Sequence, residues 1–273
     1  MRPIFALTRT PYDSYADYHT LVKGAWKDFC YVDEIKMSEP VIYIVSPING
    51  EFRPHIDNHR NEGKKCKILW WNLERPPRDE NHANHKKTAK ELLDRYLDYV
   101  VVSDQWYKKT YYADFGDRIL YCPMGIDKVL CNDPWKEGHS QYSFTHMSYV
   151  WGRRDILNQL PNLFGNCWGE ERKRGLLRTR FMVNVHQDQF GLIEPLRFAL
   201  AASHGLPIIT EKSFNLFPYD DVVVADYNQI ITVANGCAKD GYQKYAEMAR
   251  RTYDKMLNQF GFVKCVKEMC DKL

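Results

Sequence analysis

The stretch FMVNVHQDQFGLIEPLRFALAASHGLPIITE, Phe181 to Glu211, decides the fold. FMVNV is a run of strand formers, HQDQFG is a polar loop, EPLRFALAASHG has helical spacing, and LPIIT is a strand again. Together they make a β-loop-α-β unit. In open α/β sheets such loops sit at the carboxyl ends of the strands, where ligands bind. His186, Asp188, Gln189 and Glu194 are therefore candidate ligand contacts.

Upstream, apolar runs recur between polar stretches: VIYIVSP (41–47), KILWWN (67–72), YVVVSD (99–104) and ILYCPMG (119–125). They read as parallel strands, with IFALT at the N-terminus as a candidate first strand and DSYADYHTLVKGAW as its helix. KKTAKELLDRYLDY (86–99) places Leu92, Leu93, Tyr96 and Leu97 on one helical face, and QWYKKTYYADFG predicts a shorter helix. This alternation implies a doubly wound parallel sheet. Around 123–142 the pattern lapses into PMGIDKVLCNDPWKEGHSQ, which reads as a linker. A second series follows: YSFTHMSYV (142–150), a helix from Arg154, NLFGNCWG (162–169), the opening unit and DVVVADY (221–227). Two helical segments near the end, GYQKYAEMARRTYDKMLNQF and GFVKCVKEMCDKL, add no strand.

Bulk properties agree with two lobes. A chain of 273 residues suits two domains of roughly 100–150 residues each. Its 38 basic and 35 acidic residues leave a net charge of +3, so a polyanionic partner would have to be met by local clusters. The eight cysteines show no paired or zinc-like spacing, and reduced thiols in a cytoplasmic protein are expected. Neither a secretory leader nor a membrane span of about 18 apolar residues is expected from the sequence. The histidines of HIDNH and HANH stand at i,i+4 and i,i+3 without a third ligand at characteristic spacing, and read as exposed polar loop.

The two Rossmann-like series and the motifs GRR…WGEE…NVHQDQFGLIEPLRFALAASHGLPIITE resemble the GT-B glycosyltransferases, most closely the small, soluble bacterial and phage-type members of group 1. The motif match is concentrated between about 146 and 227, with VVVSD…PMGID as a weaker echo. The resemblance implies an α/β fold of two Rossmann-like lobes, parallel sheets flanked by helices, with a cleft between them. Residues 1–128 would form the acceptor lobe, 129–255 the nucleotide-sugar donor lobe, and 256–273 a C-terminal helix packing back on the first lobe. It further implies transfer of a hexose from a UDP-sugar co-substrate to a hydroxyl, with no permanently bound cofactor and no metal. Phage members of this kind suggest duplex DNA carrying hydroxymethylated bases as acceptor, ahead of a polysaccharide or glycolipid. The host cytoplasm would then be the site of action. A nucleotide-sugar epimerase of the same fold is the rival reading. One departure stands out: many group-1 enzymes carry two glutamates eight positions apart, and here His186 stands eight before Glu194.

Donor binding needs positive charge against a diphosphate that gains charge as the glycosidic bond breaks. Arg153 and Arg154 follow an apolar strand, and a guanidinium can grip two phosphate oxygens in a fork. Phe190 and Gly191 precede a helix whose amino end favours an anion. Glu194 suits a sugar diol, Arg197 one turn on pairs with Glu194 or phosphate, and Glu211 ends the next strand at the same rim. For the base that takes the acceptor proton, the loop after VIYIV offers Glu51 and His55, with Gly50 allowing close backbone approach to the donor, and Asp104 ends VVVSD. ERKRGLLRTR (171–180) is either a solvated helix face or a polyanion contact.

Overall fold

The computed structural model describes residues 1–9, 15–48, 52–59, 63–73, 80–135, 141–147, 153–165, 167–186, 191 and 193–273. The chain divides into two compact units, Met1–Pro123 with Val263–Leu273, and Met124–Phe262.

The first unit holds a six-stranded sheet in the order β2-β1-β3-β4-β5-β6. Its strands are β1 Arg2–Leu7, β2 Phe29–Tyr31, β3 Val41–Val45, β4 Lys67–Asn72, β5 Tyr99–Val102 and β6 Ile119–Tyr121. Every neighbouring pair is parallel. The reason lies in the runs themselves: VIYIV is buried at all five positions, as a strand covered by helices on both faces must be. Helix α1 (Ala16–Leu21) lays Tyr18 edge-on against Phe5 and Trp71, with ring centroids 6.3 Å apart in each case. The Trp71 indole N–H is satisfied by Ser103 Oγ at 2.8 Å. Helix α3 (Glu80–Arg95) buries Ala89, Leu92 and Leu93, the face that its sequence spacing predicts.

HIDNH lies mostly on helix α2 (Phe52–Asn58), and HANH lies within α3. The loop expectation is thus corrected for both. In α2 the buried Phe52 and Ile56, one turn apart, anchor the segment to the core and fix it as helix. β2 is the strand the sequence reading passed over. Only three residues long and half-buried, it has neither the length nor the apolar content that marks the others.

The second unit holds a five-stranded parallel sheet, β11-β10-β9-β7-β8, made of β7 Tyr142–Thr145, β8 Leu163–Phe164, β9 Thr179–Asn184, β10 Ile208–Glu211 and β11 Val223–Ala225. Helices α4 (Arg154–Leu157), α5 (Gly169–Leu177), α6 (Pro195–Ser203), α7 (Ile230–Asp240) and α8 (Tyr242–Asn258) complete it, and α9 (Phe262–Cys270) follows. Phe144, Phe181, Val183 and Ile209 of the sheet pack with Leu157, Leu160, Ile230 and Ala234 as one core. Helix α6 carries Pro at its first position, where the missing N–H costs nothing, and is buried nearly all round. Near the ends of this unit the chain runs side by side with itself: Ile126 bridges Gly261, and a Cβ on Gly125 would stand 2.4 Å from the Phe260 carbonyl oxygen. Only glycine permits that approach.

Among the described residues, no helix is long and apolar enough to cross a membrane.

Candidate functional site

In the second sheet β7 is the first strand of the series. Its successor β8 lies on one side and β9 on the other, so the winding reverses between β7 and β9. Crevices at such reversals, beyond the carboxyl ends of the strands, are where open α/β sheets bind ligands. His146 follows β7, Asn184 ends β9, His186 lies just beyond it, and Arg153 begins the segment leading into α4.

These side chains form one connected network. Arg153 Nη1 stands 2.5 Å from His146 Nε2, and its Nη2 lies 3.5 Å from Glu194 Oε1. The second oxygen of Glu194 accepts from Arg197, whose Nη1 donates to Asn184 Oδ1 at 2.7 Å. Asn184 Nδ2 in turn donates to Thr210 Oγ1 at 3.0 Å on the neighbouring strand. Both arginine side chains are nearly inaccessible, at 2 % and 3 % exposure, whereas Glu194 is 31 % exposed. Glu194 is the residue preceding the first turn of α6, extended at φ −102, and its side chain makes no capping bond. It faces the arginines instead.

His146 settles its own tautomer. Nδ1 lies 2.8 Å from the Val183 carbonyl oxygen, which can only accept, so Nδ1 carries the proton and Nε2 presents its lone pair to Arg153. Burial first, then the charges of Arg197 and Arg153, hold the imidazole well below the ordinary histidine range. It is therefore neutral at pH 7 and leaves the arginine charge intact. Two buried guanidinium groups beside a neutral imidazole make a setting that suits an anion.

A second group lies beside it. The backbone N–H of His186 donates to Glu211 Oε2 at 2.5 Å, and His186 Nε2 is 2.9 Å from Ser213 Oγ. Gly191 adopts φ +56, in the left-handed region, and its carbonyl accepts from Phe214 N at 2.9 Å. A Cβ there would lie 3.1 Å from the Lys212 carbonyl oxygen, so the position suits glycine.

Of the residues singled out from sequence, Arg153, Glu194 and Arg197 are brought into direct contact, and His186 joins Glu211. Phe190, Asp188 and Gln189 lie outside the described residues, as do Gly50 and Glu51. Arg154 is described in its backbone alone, as the first residue of α4. In the first unit His55 is half-buried on α2, with Nε2 2.8 Å from the Ile35 carbonyl oxygen. Asp104, two residues past β5, is 1 % exposed and accepts from Trp106 N at 2.6 Å.

His146 and Asn184 are the members of this network that the sequence reading passed over. Asn184 had a signal, being the one polar residue inside the apolar run FMVNV. The basic cluster 171–180 is partly consumed within the fold: Arg172 stacks 3.8 Å over the Trp168 ring and donates to the Cys167 carbonyl oxygen at 2.6 Å.

No family model matches the chain, and no curated protein sequence matches it. Solved structures do. HepE of Anabaena in complex with UDP-glucose superposes with a TM-score of 0.63 at 11 % identity, covering 100 % of this chain and 99 % of HepE. The UDP-forming α,α-trehalose-phosphate synthase of Burkholderia xenovorans, in complex with glucose-6-phosphate, gives 0.60 at 10 % identity over 100 % and 99 % of the two chains. A glycosyltransferase of Rickettsia africae gives 0.54 at 10 % identity over 99 % and 97 %. The chain has the two-sheet α/β fold of GT-B glycosyltransferases.

Proposed function

We propose that a chain of this fold, with a buried arginine pair at the switch point of its second sheet, is a glycosyltransferase that moves a hexose from a UDP-sugar to a hydroxyl. The observation that carries the reading is the convergence of Arg153 and Arg197 on the partly exposed Glu194. Burial makes such charge worth far more to a developing diphosphate than it would be in water. HepE, whose structure holds UDP-glucose, supports UDP as the carrier.

In the reaction the acceptor oxygen forms a bond to the anomeric carbon as the bond from that carbon to the diphosphate oxygen breaks. The electron pair leaves with UDP, where Arg153 meets the added charge. Arg197, tied to Asn184 and Glu194, is a positioning residue. Glu194 turns its carboxylate to the sugar hydroxyls. The acceptor proton needs a base. His55 suits this, because an Nε2–H donated to Ile35 leaves Nδ1 basic. Asp104, at 1 % exposure, is closed to an acceptor.

Hydroxymethylated duplex DNA as acceptor would draw on free surface charge. Several of the basic residues suited to it are occupied: Lys64 pairs with Asp98 at 2.7 Å, Lys86 with Asp114 at 2.6 Å, and Arg172 stacks on Trp168. A smaller hydroxyl acceptor fits the remaining charge better.

Calorimetric titration with UDP and UDP-glucose, followed by mass spectrometry of acceptor mixtures that include hydroxymethylated duplex, tests the reading. Saturable UDP binding and a mass gain of one hexose on an acceptor are expected. Epimerisation of the donor in the absence of any acceptor, or no UDP binding, would overturn it.

A further inference from the structure

In the first unit, a cavity of about 280 Å³ opens where β5 and β6 end. Three lysines line it: Lys108 and Lys109 from the turn of π-helix at Tyr107–Tyr111, and Lys272 just past α9. Gln105 and Tyr121 add polar groups, and Leu120 and Met269 supply apolar wall. Among the described residues none of the three ammonium groups has a carboxylate within ion-pair distance. Several other cations of this unit are engaged. Lys64 and Lys86 are ion-paired, Lys67 donates to the Leu273 carbonyl, and Arg118 donates to the Leu97 carbonyl at 2.7 Å. Asp104 accepts from Trp106 N, and Glu268 lies 4.0 Å from Lys264.

A basic cavity in the second unit shows the contrast. There Arg251 and Lys255 line a hollow of about 430 Å³, but Asp221 and Asp220 in the same wall neutralise them. Three like charges gathered around a concavity with no carboxylate in ion-pair contact repel one another, and an anion relieves that repulsion.

We propose that this cavity binds a phosphate dianion, with Lys108, Lys109 and Lys272 as its ligands. Three ammonium donors match the three terminal oxygens of a phosphate monoester, and lysine serves phosphate as a point charge. A carboxylate would leave two of the three charges unmet. A nucleic-acid backbone would need a track of free cations, whereas Lys64, Lys86, Lys67 and Arg118 of this unit are engaged. The assignment deepens the glycosyltransferase reading, on which it rests in one respect: the first unit is the acceptor unit, so a sugar-borne phosphate there would belong to the acceptor.

The test titrates inorganic phosphate, glucose 6-phosphate and glucose separately into the full chain by calorimetry at low ionic strength, with UDP saturating. UDP occupies the arginine site and so removes it as a competing phosphate site. One saturable phosphate site is expected, weakened about tenfold or more in the triple variant K108A/K109A/K272A, since charge-assisted hydrogen bonds are lost. Plain glucose should give no heat. Tighter binding of glucose 6-phosphate than of inorganic phosphate assigns the site to a phosphorylated acceptor, and equal binding assigns it to the free ion. All three lysines are exposed, so the variant should melt with the wild type and bind UDP equally. Absence of a saturable phosphate site, retained affinity in the variant, or tighter binding of unmodified duplex DNA than of either phosphate overturns the proposal. Should UDP itself fail to bind, the donor reading falls, and the same titrations without UDP still decide the cavity by comparing wild type with variant.

Discussion

One oxygen of Glu194 lies 3.5 Å from Arg153 Nη2 while the other accepts from Arg197, so one carboxylate at 31 % exposure bridges two guanidinium groups that water scarcely reaches. The pairing has a cost that the fold must recover. Two arginine side chains are held out of water here, Arg153 just ahead of α4 and Arg197 on α6, and a bound diphosphate would add partners of opposite charge. The energetics of the empty fold and the affinity for donor are thereby linked through one residue.

Glu194→Gln removes the balancing charge at nearly constant volume. Breaking a fully buried pair costs about 3–5 kcal/mol, and partial exposure of this carboxylate brings the expected loss to roughly 2 kcal/mol. For a chain of this size that is a fall of about 4–8 °C in melting temperature. Added UDP should raise the melting temperature of the variant by more than that of the wild type, because the anion replaces the missing charge. Equal shifts in differential scanning calorimetry would show that the arginines do not face the ligand.

Arg153→Lys keeps one charge but loses the planar fork and the bond to His146 Nε2. Donor affinity should fall by about 10- to 100-fold in a UDP titration, the range for a lost charge-assisted bond of about 1.5–3 kcal/mol. Arg153→Ala should weaken it further and lower kcat, since charge on the leaving diphosphate then has no partner. Unchanged UDP affinity in both variants would remove Arg153 from the site.

Much of this arrangement was legible before any coordinates. VIYIV, KILWWN and YVVV read as strands because parallel sheets bury both faces and leave unbroken apolar runs, and the structure gives β3, β4 and β5 at those positions. The Phe181–Glu211 unit appears as β9, α6 and β10, with Glu194 just ahead of the helix. The site was legible only where its residues are near in sequence. Arg197 and Glu194, three apart, could be paired on helical geometry alone. Joining His146 and Asn184 to them requires the strand order: β7 and β9 are neighbours only because β8 lies on the far side of β7, and no local spacing reports that. QWYKKTYYADFG illustrates another limit. Its apolar spacing predicted a plain helix, yet it forms a π turn at Tyr107–Tyr111 followed by a 3₁₀ turn over Ala113–Arg118. Tertiary burial of Tyr107, Tyr111 and Tyr112 overrides the 3.6-residue period.

Stability should decline on acidification from near pH 6.5 toward pH 4. His19 is buried on α1, and desolvation first, then the Lys23 charge, lowers its pKa from the ordinary 6.5 to about 4. His146 is displaced in the same direction. In that window the unfolded chain binds protons that the folded chain refuses, so unfolding becomes more favourable as pH falls. Below about pH 4 the His19 contribution levels off, and above 6.5 it vanishes. Denaturant melts of His19→Gln at pH 7 and pH 5 should show a smaller pH-dependent loss than the wild type. Parallel pH dependences for the two proteins would mean that His19 is protonated as readily in the fold as out of it.

Gly191→Ala separates the path of the loop from the chemistry of its ends. At φ +56 an alanine pays roughly 1–2 kcal/mol for the left-handed backbone. Its Cβ also meets the Lys212 carbonyl oxygen at 3.1 Å, so the backbone has to give by a few tenths of an ångström. Two segments share that adjustment, because Gly191 O accepts from Phe214 N and the chain runs on from Gly191 to Glu194. A shift there moves the Glu194 carboxylate first and the two guanidinium groups only through it. Donor KM should therefore rise by about tenfold, the equivalent of ~1.4 kcal/mol, with a smaller change in kcat. UDP alone, which lacks the sugar facing Glu194, should lose less affinity than UDP-glucose. If both ligands weaken alike, the loop serves the diphosphate and not the sugar, and the role given to Glu194 at the sugar hydroxyls passes to another residue.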